Sequence, residues 1–237
     1  MSLSGGKLAG GRGLLVAECF GPTLQGEGPS CGQQALFVRL SRCNLRCPGC
    51  DTPETWDWSR FDPREVSTRI GVEDLAAWVM SWLSRLVVVT GGEPLLQQDA
   101  VVDLVRLLPG RRVEVETNGT ISPRPGLVEA VSGFNVSPKL EAFAAPGDRR
   151  INPEALRAFA ACDKARFKFV VREAGQLDEV ASLAEEFSFP EVWIMPEGTS
   201  SKAVLGGMRA LADEVLARGW NLTPRLHTLL WEDERGR

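Results

Sequence analysis

Short apolar, β-branched runs alternate along this chain with segments whose apolar residues recur at helical spacing. No other feature constrains the fold as much. Residues 14–20 and 35–40 read as a first pair of strands. Residues 72–83 then place Leu75, Trp78, Val79, Trp82 and Leu83 on one helical face. Residues 86–89 form a continuous apolar run ending at Gly91-Gly92, as expected of a strand buried on both faces. The pattern repeats as helix 98–108, strand 112–117 with a turn at Asn118-Gly119, strand 134–137 and helix 153–160. Strand 166–171 follows, then a helix marked by Leu177, Val180, Ala181, Ala184 and Phe187, strand 192–195, helix 203–217 and a closing strand at 220–226. Strands separated by helices imply βαβ units and a mostly parallel sheet. About six such units are expected, fewer than the eight of a closed barrel. The expected fold class is therefore α/β, a partial (open) β/α barrel. Residues 60–69 and 123–126 read as loops inside one domain covering 13–237, and residues 1–12 as a disordered tail or cloning remnant.

Composition narrows the function classes. With 43% hydrophobic and 24% charged residues in a chain of 237, the profile is that of an ordinary soluble domain. A net charge of −4 supplies no basic footprint for nucleic acid. No apolar run approaches the roughly 18 residues of a membrane span, and the first residues lack a signal-peptide core. A cytoplasmic protein that engages neither nucleic acid nor membrane is expected.

The six cysteines are Cys19, Cys31, Cys43, Cys47, Cys50 and Cys162, and the single histidine is His227. Cys43, Cys47 and Cys50 crowd into one loop directly after strand 35–40, at the strand end where parallel α/β folds carry their chemistry. That density points to metal or redox chemistry. Thiolates select zinc or an iron–sulfur cluster. A zinc staple needs a fourth ligand from Cys19, Cys31 or His227, and no second short-spaced pair exists. Three cysteines on a four-iron cluster leave one iron open for chemistry.

This C-x3-C-x2-C loop, followed one strand later by Thr90-Gly91-Gly92-Glu93-Pro94, resembles the radical S-adenosylmethionine (SAM) enzymes. The resemblance implies a 4Fe-4S cluster on Cys43, Cys47 and Cys50, with SAM on the open iron as the source of a 5′-deoxyadenosyl radical. Gly92 and Glu93 would contact the methionine amino group. Glycines permit close approach, and a carboxylate accepts from an ammonium.

Further motifs are similar to those of the 7-carboxy-7-deazaguanine synthase family: residues 20–29 with Gln25-Gly26-Glu27-Gly28, residues 39–44, Asp51-Thr52, residues 116–120, Ser137-Pro138-Lys139 and residues 222–227. That family implies a radical lyase of queuosine biosynthesis, contracting 6-carboxy-5,6,7,8-tetrahydropterin to 7-carboxy-7-deazaguanine with loss of ammonia. It implies Mg2+ as a further cofactor, an electron donor such as a flavodoxin, and a homodimer. Leu24, Gln25, Gly26, Glu27, Arg39, Thr90 and His227 would bind substrate; Ser137, Pro138 and Lys139 would bind SAM; Thr52 would bind magnesium. The residue chemistry agrees. The Gln25 amide both donates and accepts, the Arg39 fork suits a carboxylate, and a hydroxyl is a hard oxygen ligand. His227 is equally readable as a packed histidine. Residues 195–198 read either as a turn or as a contact to the adenosyl group. Cys19 and Cys162 read as packed thiols. The other enzyme reading of the cysteine spacing is an activase that makes a glycyl radical on a partner protein. Outside enzymes, a zinc-stapled binding protein is the alternative.

Overall fold

The strands of the central sheet each have two unlike faces, and that asymmetry organises the molecule. The structure is a computed structural model that describes residues 13–232 and 234–236, so the expected tail at 1–12 lies outside it. Nine strands form one sheet: β1 (Gly13–Leu24), β2 (Gln34–Leu40), β3 (Thr68–Gly71), β4 (Leu86–Gly91), β5 (Arg112–Thr117), β6 (Gly133–Val136), β7 (Ala165–Val171), β8 (Val192–Pro196) and β9 (Asn221–Leu222). Their order is β3-β1-β2-β4-β5-β6-β7-β8-β9, with β3 and β9 at open edges. Neighbours from β2 to β9 are parallel, whereas β1 runs antiparallel to both β2 and β3. The helices are α1 (Pro63–Val66), α2 (Val72–Met80), α3 (Gln98–Arg106), α4 (Pro125–Ala130), α5 (Pro153–Ala160), α6 (Leu177–Phe187), α7 (Ser201–Ala217) and α8 (Leu226–Trp231). Pairing each parallel strand with the helix that follows it, α2 to α7, yields the expected open barrel of six units.

Side chains alternate across a strand. Val87 and Val89 of β4, Val113 and Val115 of β5, Phe134 and Val136 of β6, and Phe167, Phe169 and Val171 of β7 join the helices in one large buried core. The intervening positions face the other way. Near the strand starts they form a small apolar group of Ala35, Phe37, Leu86 and Val88. Farther along they are polar: Arg39, Thr90, Glu116, Asn135 and Lys168. The register sets Arg39 beside Thr90 and Glu116 beside Asn135 on adjacent strands. The sheet thus has a greasy back, sealed by helices, and a polar concave front.

Three sequence expectations need correction. Residues 60–69 do not form a loop: Asp62 caps α1 by accepting from Arg64 N at 2.9 Å, and β3 is an edge strand that pairs with β1 and buries Ile70 in the core. Residues 123–126 run into α4, whose first turn begins at Pro125, a position where proline's missing N–H costs nothing. The closing strand is only Asn221–Leu222. Pro224 cannot donate to a ladder, and the chain turns into α8, which periodicity did not reveal.

Candidate active site

The cysteine loop leaves β2 at its C-terminal end and is held against the turn after β4 chiefly by backbone hydrogen bonds, with Gln97 Nε2 also donating to Ser41 O at 3.2 Å. Gly92 N donates to Leu40 O at 3.0 Å and Glu93 N to Arg42 O at 2.8 Å. A Cβ at Gly91 would sit 2.1 Å from Leu40 O, and one at Gly92 would sit 2.1 Å from Arg42 O. The two glycines are therefore required for contact with the strand that carries the cysteines, a closer constraint than the expected approach to a ligand. Glu93 is fully buried. Its carboxylate accepts from Leu95 N (2.9 Å), Thr117 Oγ1 (2.8 Å) and Asn118 N (2.7 Å). Enclosed in this way it braces the ends of β4 and β5. Burial raises its pKa, against those three hydrogen bonds and the nearby Lys139.

The three thiols are free. Cys43 Sγ accepts from Leu45 N at 3.4 Å and from Asn118 Nδ2 at 3.8 Å, and Asn118 is held in turn by Asn44 Oδ1 at 3.0 Å. Burial pushes the Cys43 thiol up to about 12. Burial raises Cys47 too, while Lys139 draws it down. Half-buried thiols, with N–H donors on Cys43, suit ligation to a cationic cluster, whose charge stabilises the thiolates. Among the described residues no three His, Cys, Asp or Glu side chains converge on a single-ion site. Thr52 Oγ1 is buried, and its hydrogen-bond contact is Cys50 Sγ at 3.8 Å. Its hard oxygen therefore stands beside the cluster loop with weak protein competition, as a magnesium ligand requires.

Ser137 and Lys139 meet at 3.0 Å just beyond β6, and Pro138 is buried between them. Lys139 O is pinned by Arg150 Nη1 at 2.9 Å. At residues 195–198, Glu197 pairs with Arg172 at 2.6 Å. The Arg172 guanidinium covers the Phe143 ring at 4.4 Å and lies 3.8 Å from where a Cβ of Gly49 would be. This strand-end turn is thus tied to the cysteine loop.

The second half of the site is the segment after β1, which folds across the polar face of the sheet. Leu24 ends β1, paired with Gln34. The buried Gln25 donates from Nε2 to Glu116 Oε1 at 3.0 Å, and its Oε1 accepts from Glu27 N at 3.3 Å. Thr90 Oγ1 donates to the other Glu116 oxygen at 2.7 Å. Glu27 is gripped by Lys168 on Oε2 and by Arg225 on Oε1, the latter at 3.3 Å. Burial alone would raise the Glu27 carboxyl, but Lys168, Arg225 and His227 outweigh it and hold it well below the usual carboxylate range. His227 packs on Gly26, where a Cβ would meet its Nδ1 at 1.9 Å. Burial lowers the His227 pKa, with Glu27 pulling the other way. Arg39 reaches Glu18 through Nε at 3.3 Å and lies over Phe20 at 5.4 Å. Its Nη groups make no hydrogen bond among the described residues, which leaves that edge of the fork for a ligand.

Four contributors escaped the sequence reading as site residues. Glu116 and Lys168 look like ordinary strand residues until the register turns them to the polar face. Arg225 gathers Glu27, Asp51 (3.3 Å) and Gly198 O (2.9 Å) from three remote segments. Asn118 bridges the cysteine loop to the end of β5. An arginine or lysine inside an apolar run is the available signal, and Lys168 within residues 167–171 carries it.

Comparison with known proteins adds four findings. A family model described as the radical SAM superfamily matches residues 38–172. The chain is 36% identical over 232 residues to a 7-carboxy-7-deazaguanine synthase of Pyrobaculum aerophilum, with 94% of this chain and 97% of that one covered. It is 38% identical over 226 residues to one of Hyperthermus butylicus, covering 92% of each. The crystal structure of QueE from Escherichia coli superposes with a TM-score of 0.70 at 26% identity, covering 89% of this chain and 93% of that one.

Proposed function

The chain belongs to the radical SAM superfamily and, within it, to the 7-carboxy-7-deazaguanine synthases, and from that premise we propose that it converts 6-carboxy-5,6,7,8-tetrahydropterin to 7-carboxy-7-deazaguanine with release of ammonia. The observation that carries the substrate reading is the row Arg39, Thr90 and Glu116 across β2, β4 and β5, opening beside the cysteine loop.

When bound, a 4Fe-4S cluster on Cys43, Cys47 and Cys50 with SAM supplies the one-electron chemistry that removes a substrate hydrogen. The chain's own residues orient the substrate for that step. The Nη edge of Arg39 offers two parallel donors to the pterin carboxylate. Glu27, Glu116 and the Gln25 amide present acceptors to the pterin's N–H groups, while Leu24, Gly26, Thr90 and His227 complete the wall. Gly92, Glu93, Ser137, Pro138 and Lys139 form the side assigned to SAM. Thr52 would supply an oxygen ligand to magnesium, which would offset carboxylate charge. An electron donor such as a flavodoxin is inferred from the resemblance to the family. Among the described residues no helix is long and apolar enough to cross a membrane. We place the enzyme in the cytoplasm as a homodimer, the commonest closed assembly.

The test is anaerobic reconstitution followed by turnover with dithionite, SAM and the carboxytetrahydropterin. The parent should be brown and form the deazaguanine. Cys43→Ala, Cys47→Ala and Cys50→Ala should each lose the visible absorption, and Cys162→Ala should keep it. A parent that cleaves SAM but leaves the pterin intact refutes the substrate assignment and favours a glycyl-radical activase.

A further inference from the structure

Among the described residues Lys168 is the only buried lysine or arginine. It sits in β7 between Phe167 and Phe169, whose rings are enclosed in the core behind the sheet, and points to the polar face. An apolar side chain would fill that position at less cost, because a buried ion pair commonly fails to recover its desolvation penalty. The ion pair therefore calls for a use other than stability. Its partner is Glu27, in the segment assigned above to the substrate.

The geometry around Glu27 is that of a carboxylate held in one orientation. Lys168 takes one oxygen and Arg225 the other. Arg225 is itself fixed by Gly198 O and Asp51. The backbone on either side is anchored by Glu27 N on Gln25 Oε1 (3.3 Å) and Gly28 N on Thr223 Oγ1 (2.8 Å). Each carboxylate oxygen has further lone-pair capacity, so both cations can be kept while a ligand donor is accepted.

We infer that Lys168 is a positioning residue for substrate recognition, acting through Glu27 to fix the charge and aim of the carboxylate that reads the N–H edge of the pterin. This rests on the pterin reading of the site. The groups facing Glu27 are Lys168 and Glu116 from the sheet, Arg225 and His227 from the C-terminal segment, and Cys31 from its own loop, with Asp51 beyond Arg225. Burial favours the protonated form of Glu27, and Lys168 leads the charges that oppose it. Removing Lys168 therefore moves the protonation of Glu27 to higher pH.

The experiment uses the reconstituted holoenzyme and its Lys168→Met and Lys168→Arg variants. Lys168→Met should raise the pterin KM, and the pterin Kd measured by anaerobic calorimetry, about 10- to 100-fold, the loss expected for a charge-assisted contact. The kcat and the SAM Kd should stay near the parent's. The acid limb of kcat/KM should shift to higher pH, and Lys168→Arg should recover most of the affinity. In a Glu27→Gln background, where no lone carboxylate is left buried, Lys168→Met should add less than about threefold, because partners in one interaction are not additive. Parent-like KM and pH profile in Lys168→Met overturn the inference, as does an equal fall in SAM affinity. A 10- to 100-fold loss on adding Lys168→Met to the Glu27→Gln background overturns it even where the single variant fails to fold. A parent that does not bind or convert the pterin instead overturns the underlying substrate reading.

Discussion

Replacing Gly92 by alanine tests the claim that the glycine pair exists to seat the cysteine loop. A Cβ there would lie 2.1 Å from Arg42 O, 2.5 Å from Arg42 C and 2.9 Å from Cys43 N, all backbone atoms that no rotamer change can clear. Ordinary contact begins at 3.4 Å, so the two backbones have to part by about 1.3 Å, and overpacking of this kind costs about 1–3 kcal/mol. The parting strains two hydrogen bonds, Gly92 N to Leu40 O and Glu93 N to Arg42 O, each worth about 0.5–1.5 kcal/mol. A total near 4 kcal/mol lowers Tm by about 8–16 °C in a chain of this size. The displaced atoms include Cys43 N, so iron loading should fall with stability. The assay is thermal melting of the metal-free protein together with iron per chain after reconstitution. Gly206→Ala is the control: a Cβ there meets nothing within 4 Å in the middle of α7, and about 0.4–1 kcal/mol of added stability is expected. A Gly92→Ala variant with parent Tm and full iron refutes the reasoning. If that variant loses only SAM affinity, the glycine serves the ligand and not the backbone.

Three further outcomes follow from the site. Arg39→Lys keeps the charge but discards the Nη fork, so pterin affinity should fall about tenfold with the cluster intact, while Thr52→Ala should flatten the response of turnover to magnesium; titrations of rate against pterin and magnesium read both. His227, the chain's only histidine, is held below its ordinary 6.5 by burial. The unfolded chain therefore takes up the proton first, and the stability contributed by the neutral imidazole is present above pH 6.5 and lost as pH falls from 6.5 toward the folded value. Denaturant unfolding between pH 5 and 8, as ordinary working limits for such titrations, should show that slope, and His227→Gln should flatten it.

The sequence by itself determined the alternation of strands and helices, the open count of six units, and the grouping of Cys43, Cys47 and Cys50 after β2. These are local properties: periodicity, apolar runs and close spacing are visible within a dozen residues, and burial of one apolar face leaves little choice of element. The short pieces were not legible. β3 exists because β1 offers it an edge, and α8 because Pro224 ends the ladder and Leu226 N finds Gly26 O at 2.8 Å. The polar half of the site was decided by register. Arg39, Thr90, Glu116 and Lys168 come from four strands, and only parallel pairing turns their side chains to one face. Tertiary structure also supplied the surroundings of Glu93, which the resemblance assigns to the cofactor. Enclosed at the strand ends, a carboxylate must satisfy its lone pairs, and here Leu95, Thr117 and Asn118 are the donors within reach. Lys168 and Arg225 lie 141 and 198 residues from Glu27 along the chain. No local pattern records such a separation, so the charge state of that carboxylate is a property of the folded protein alone.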